Sequence, residues 1–234
     1  MIEVQTLEGD ASFAAYCAEP EGTPRAAIIV IQEIFGVNQG IRQKCDRLGA
    51  DGYLAIAPDL FWRLQPGIML DPDVPEEFQQ ALGWMGKFNQ DAGVRDIEAT
   101  IRAARAKLAQ ESYGAGKVGV VGYCLGGRLA FMTAARTDAD ASVGYYGVGL
   151  DGLLGEKHAI AHPLLLHIPE EDHFVGKDAQ AAIHAGLDDH PKVTIFDYPG
   201  EDHGFATEMG KRRSAESADL ADKRTAEFFA EALG

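Results

Sequence analysis

An α/β fold, with a mostly parallel central sheet and helices on both faces, is what this sequence predicts, and three observations predict it. Apolar, β-branched runs alternate with segments of helical spacing, the pattern of parallel strands joined by crossover helices. The runs are short: the longest, residues 26–31, suits a buried strand and is far too short to span a bilayer. No linker, composition break or internal repeat interrupts the 234 residues, so one domain over 1–234 is expected.

Taken in order, residues 2–7 and 13–18 flank the turn signal Glu8-Gly9-Asp10 and predict an antiparallel hairpin at the sheet edge. Residues 26–31 form the first buried strand, and the helix after it reaches about Asp51 with Ile41, Cys45 and Leu48 on one face. Residues 53–57 make the next strand, stopped by Pro58 and followed by a Pro- and Asp-rich loop over 59–75. Val94, Ile97, Ile101, Ala104 and Leu108 keep helical spacing along one amphipathic helix. Residues 117–121 are a strand that runs into a glycine-rich turn, and a helix leaves that turn to about Arg136. Strands at 142–146, 163–168 and 193–198 continue the series, with helices over 177–187 and 214–233. Sheets of this kind bind ligands beyond the carboxyl ends of their strands, so function is sought just after each strand.

The 36 acidic residues against 21 Lys and Arg leave a formal charge of −15. Nucleic acid and anionic membrane are thereby disfavoured as partners, because phosphate binding needs concentrated cations. The one compact basic cluster, Lys211-Arg212-Arg213, reads as a solvated loop or helix start. Three scattered cysteines, Cys17, Cys45 and Cys124, lack paired metal spacing and fit free thiols in a reducing compartment. The N-terminus has no signal-peptide character. A cytoplasmic monomer acting on a small molecule is expected.

The turn Gly122-Tyr123-Cys124-Leu125-Gly126-Gly127 has the makings of a nucleophile elbow. A strand delivers the chain, small residues let strand and helix approach, and the helix start offers N–H groups and positive charge to a thiolate. A small buried thiol is the competing reading of Cys124, and the structural one is preferred for Cys17 and Cys45. A nucleophile here needs an acid and then a histidine, each after a later strand. The strand at 163–168 is followed by Glu170, Glu171 and Asp172, among which Asp172 best suits the reach. The strand at 193–198 is followed by His203 in a Gly-flanked loop, able to act as general base and acid.

These motifs, with Gln32-Glu33-Ile34-Phe35-Gly36-Val37-Asn38, Ala57-Pro58-Asp59-Leu60, residues 144–150, Asp172-His173-Phe174-Val175 and His203-Gly204-Phe205, run in order along nearly the whole chain. In this set the sequence resembles the dienelactone hydrolase family of the α/β-hydrolase fold. The resemblance implies a hydrolase of small lactones or esters without cofactor, metal or large cap domain. It implies a triad of Cys124, His203 and Asp172, and so selects Asp172 among the three acids. It further implies that Glu33 hydrogen-bonds the resting thiol until substrate displaces it, and that the N–H groups of Ile34 and Leu125 form the oxyanion hole. Phe35, Phe78, Tyr146 and Thr207 are the positions expected to face substrate. Phe78 and Thr207 stand where the family carries two arginines that grip the substrate carboxylate, so that grip is lost. Arg63, Lys87, Arg128 and Arg212 are the candidates to replace it, and an uncharged ester is the alternative substrate.

Other signals carry less. Gly147-Val148-Gly149-Leu150-Asp151-Gly152 matches a dinucleotide fingerprint, but Gly155 and Pro163 leave little room for the packed helix it needs. His158 and His162 have no HExxH or Cys companions and read as surface histidines. Of Tyr145 and Tyr146, one is expected in the core and the other in the pocket, while Trp62, Phe78, Trp84 and Phe88, taken by residue type alone, read as core sooner than as a substrate cradle. A non-catalytic binding module and a nucleotide-dependent oxidoreductase are the rival classes.

Overall fold

The computed structural model describes residues 1–110 and 116–234. The N-terminal hairpin forms at the sheet edge: β1 (Ile2–Gln5) pairs antiparallel with β2 (Ser12–Ala18). β3 (Ala27–Ile31) follows with every residue buried, and α1 (Gln39–Ala50) starts at Asn38, whose side chain accepts a hydrogen bond from Ile41 N at 3.2 Å. β4 (Leu54–Pro58) is likewise fully buried, as a strand covered on both faces must be. Then come α2 (Pro75–Met85), α3 (Gln90–Gln110), β5 (Val118–Tyr123), α4 (Leu125–Arg136) and β6 (Ala141–Tyr145). A 3-10 segment (Asp151–Ala159), β7 (Leu164–Pro169), α5 (Lys177–Leu187), β8 (Val193–Tyr198) and α6 (Ala215–Leu233) complete the order.

The eight strands lie in the order β1-β2-β4-β3-β5-β6-β7-β8, antiparallel at the first two pairings and parallel from β4 onward. α1 and α6 cover one face, where Ile41, Cys45, Ala218 and Phe229 join a core with Tyr123, Tyr145 and Tyr146. α3, α4 and α5 cover the other, with Ile97, Leu129 and Leu187 in its core. Cys45 is fully buried there as a structural thiol, and Cys17 is half-buried on β2. The stretch written as a dinucleotide fingerprint opens the 3-10 segment and no α-helix, so it lacks the helix start that would hold a pyrophosphate.

Two features place the site. The chain leaves β3 for β4 on one side while β5 pairs on the other, so β3 and β5 form the switch point where ligands bind. Ile31 and Gly122 are register partners there, which brings Glu33 and Cys124 past the same end of the sheet. The second feature is α2, in a region where the sequence reading assigns a loop only as far as Pro75. This short helix contributes Phe78, Leu82 and Met85 to the cavity beside Cys124.

Candidate active site

At Cys124 the backbone adopts φ 56° and ψ −114°, a conformation that suits glycine and strains any residue with a Cβ. The surroundings explain how it is held. Cys124 N donates to Tyr145 O at 3.0 Å on β6, and Arg128 N donates to Cys124 O at 3.1 Å as α4 begins. The glycines answer to close approach: a Cβ on Gly122 would collide with the backbone of Gly126, and one on Gly126 would meet Ile31 O at 2.5 Å. A Cβ on Gly127 would meet Tyr145 O at 2.5 Å. The thiol therefore stands at a sharp strand-to-helix turn with the N-terminus of α4 behind it.

Asp172 and His203 meet as the sequence order anticipates. His203 Nδ1 lies 2.9 Å from Asp172 Oδ2, with side chains only 4% and 1% exposed. The other Asp172 oxygen accepts from Phe174 N at 2.8 Å and Val175 N at 3.2 Å, so the carboxylate cannot swing. Asp202 ties the two loops together, accepting from His173 N and from His203 N, at 3.0 and 2.6 Å. Asp172, His173 and Asp202 bring ligand atoms close enough for a cation. Both Asp172 oxygens and Asp202 Oδ1 already accept from protein donors.

Two buried histidines can be told apart by their free nitrogens. His167 has both occupied, by Tyr198 Oη at 2.7 Å and Thr225 Oγ1 at 2.9 Å, and burial holds it neutral with a pKa of about 3. His203 has no partner for Nε2 among the described residues. Burial pulls its pKa down, but the neighbouring Cys124 sulfur and the Asp172 hydrogen bond outweigh that and push it up to about 10. Only His203 is equipped to take up a proton.

Cys124, His203, Glu33 and Ile34 line one cavity of about 210 Å³. Its remaining wall is mostly apolar: Phe35, Phe78, Leu82, Met85, Val148 and Phe174. Phe78, Leu82 and Met85 come from α2, and Thr207 lies on the opposite side after β8. The N–H groups of Ile34 and Leu125 donate to no backbone partner among the described residues, leaving both donors free beside the thiol. Gln32 fixes the first of these, since its side chain accepts from Leu60 N at 3.0 Å and donates to Glu33 O at 3.4 Å. Burial pushes the Glu33 carboxyl up, while the charges of His203, Lys44 and Arg212 oppose this.

Tyr146 requires a correction. It is 1% exposed and stands behind the site, against His203 with ring centroids 5.0 Å apart, instead of lining the substrate cavity. Its φ of 38° turns the backbone after β6 so that the ring packs inward. Arg212 is exposed, as expected of the basic cluster, and among the four candidate cations it is the one that lines the cavity. Its guanidinium lies at the cavity mouth, 5.8 Å from the ring centroids of both Phe78 and Phe174. It makes no ion pair among the described residues, whereas Arg63 pairs with Asp96, Arg128 bonds Gln90 and Val148 O, and Lys87 lies over Trp84. Sequence reasoning also missed α2 and the rim residue Phe174. A larger cleft of about 440 Å³ between α1 and α6 holds none of the triad.

Comparison with known proteins agrees with this geometry. The model of the dienelactone hydrolase family matches residues 13–233. The chain is 47% identical over 237 residues to an Azospirillum brasilense protein assigned as a carboxymethylenebutenolidase, covering 100% of both chains. It is 40% identical over 229 residues to the carboxymethylenebutenolidase of Pseudomonas putida, covering 98% of this chain and 95% of that one. Among solved structures, a Klebsiella pneumoniae protein assigned to the dienelactone hydrolases superposes with a TM-score of 0.81 at 26% identity, covering 98% and 97% of the two chains. No helix among the described residues is long and apolar enough to cross a membrane.

Proposed function

The chain belongs to the dienelactone hydrolase family, and from that premise we propose that it hydrolyses small lactones or carboxylic esters through a thioester on Cys124. The observation that carries this is the strained Cys124 elbow sharing a buried cavity with the His203–Asp172 pair. His203 Nε2 takes the thiol proton, and the thiolate sulfur attacks the substrate carbonyl. The N–H groups of Ile34 and Leu125 receive the charge that develops on the carbonyl oxygen. The imidazolium then protonates the leaving alkoxide, and the C–O bond breaks to leave the thioester. Water, deprotonated by His203, attacks the thioester and releases the acid. Asp172 holds the ring in the required tautomer throughout. Between turnovers the Glu33 carboxylate accepts the thiol proton in a hydrogen bond, which guards the sulfur against oxidation.

Rapid mixing with excess aryl ester, an acid quench and peptide mass spectrometry test this reading. One acyl group on the Cys124 peptide is the expected result. Steady turnover with that peptide unmodified at every time point would end the thioester mechanism.

The unpaired Arg212 at an otherwise apolar mouth favours substrates with an anionic end remote from the scissile bond. A guanidinium loses water readily and grips a carboxylate in two-point fashion. For an aryl half-ester of a dicarboxylic acid against its neutral isostere, Arg212→Ala should lower the ratio of kcat/KM values about tenfold, the weight of one charge-assisted hydrogen bond near solvent. A ratio equal to that of the parent protein would favour the uncharged ester instead.

A further inference from the structure

A buried ion cluster stands behind Glu33, on the side away from the substrate cavity. Lys44, on α1, is almost inaccessible, and its Nζ lies 2.9 Å from Glu208 Oε1 and 3.2 Å from Asp222 Oδ2. Tyr123 and Tyr145 present their ring faces to it, with centroids at 5.0 and 5.9 Å. Glu208 also meets Arg47 and Arg213, and Asp222 also meets Arg47. With Asp219, which is exposed and pairs with Arg213, three carboxylates balance three cations, and Lys44 is the one cation among them that is itself buried.

Between Lys44 and Glu33 lies a cavity of about 10 Å³, bordered also by Tyr123, Tyr146, Thr207 and Glu208. Its size and polar lining suit one water molecule. Tyr146 adds an independent sign. It lines this cavity, and its buried hydroxyl has no partner within full hydrogen-bonding geometry among the described residues, while lying near enough to Glu33 to favour the charged carboxylate. A buried hydroxyl without a partner is costly, and a water in this cavity would satisfy it.

We propose that Lys44 is a positioning residue for the reaction: through one water held in this cavity by Tyr146, its ammonium keeps the Glu33 carboxylate in the charged form that accepts the resting Cys124 thiol proton. The inference rests on the role of Glu33 given above. Glu33 is faced by Lys44 from α1, Tyr146 from the end of β6, Cys124 from the elbow, His203 from the loop after β8 and Arg212 from the segment before α6. Burial disfavours its charge; Lys44, His203 and Arg212 favour it, and Glu208 across the small cavity opposes it. A protonated Glu33 accepts from the thiol only weakly, through its neutral carbonyl oxygen. The thiol proton then passes to His203 Nε2, leaving thiolate and imidazolium in the resting protein.

The readout is the rate at which iodoacetamide alkylates Cys124 in the substrate-free protein, followed by peptide mass spectrometry across pH. In the parent protein the rate falls as pH rises through the ionisation of Glu33, because the carboxylate captures the thiol. Lys44→Met should move this falling limb up by about one pH unit, and Lys44→Arg should return it. Glu208→Gln leaves Lys44 in place with one competitor fewer, and should move the limb down. Glu33→Gln should abolish it. A limb unmoved in Lys44→Met, or in Glu208→Gln should Lys44→Met not fold, but absent in Glu33→Gln overturns the role of Lys44 alone. A limb that survives Glu33→Gln overturns the role of Glu33 and this inference with it.

Discussion

Cys124→Ala is expected to lose ester turnover by about 10⁴-fold or more, the scale on which a nucleophile in a triad counts, while melting within a few degrees of the parent protein. The loss is large because no other thiol lines the cavity: Cys45 is fully buried on α1 and Cys17 lies on β2. The fold survives because the elbow is built by the glycines and the Tyr145 carbonyl, with the thiol itself making no structural contact that the turn depends on. Cys124→Gly sharpens the test. It removes the Cβ from a backbone at φ 56°, relieving strain of about 1–3 kcal/mol against a glycine entropy cost of about 0.5–1 kcal/mol. A melting temperature about 2–4 °C above that of Cys124→Ala is expected by calorimetry, with catalysis lost in both. A Gly variant less stable than the Ala variant would mean the turn is not strained in solution.

Asp172→Asn is expected to lower kcat by about 10³- to 10⁴-fold, because the amide offers the wrong group to His203 Nδ1 and no charge to the imidazolium. The pH profile gives the sign independently. Burial alone would drive His203 down, and the charge on the Cys124 sulfur with Asp172 brings it up to about 10, so once the thiol proton has passed to His203 the imidazolium holds it for the leaving group. Removing the Asp172 charge lowers the His203 pKa, and the alkaline limb of kcat/KM should move toward neutral pH by about one unit or more. A limb that stays in place while kcat falls would mean that Asp172 only shapes the loop.

What the sequence carries openly is what local chemistry decides. The elbow is legible because Gly122, Gly126 and Gly127 are needed wherever a Cβ would strike backbone, and the strand and helix on either side are strongly apolar. Asp172 and His203 are legible from their order after β7 and β8, though Glu170 and Glu171 compete until the hydrogen bond is seen. α2 carries a helical stripe of Phe78, Ala81, Leu82 and Met85 that the sequence reading left unused, because Ala81 alone is fully buried and the Pro- and Asp-rich segment before it reads as loop. Lys44 and Asp222 are 178 residues apart, and nothing local signals that they meet. Tyr146 misleads because its side chain direction is set by a left-handed backbone angle that a tyrosine rarely adopts.

The poorly buried α2 has a bearing on how such a protein diversifies. The triad, the elbow and the free N–H donors sit on the rigid sheet, where a changed residue risks the fold. Phe78, Leu82 and Met85 sit on a helix that gives the core one fully buried residue, Ala81. Substitutions there can reshape which acyl or alcohol groups fit at little cost in stability. Selection can therefore rewrite the menu of esters from one eleven-residue helix while the chemical step is inherited unchanged.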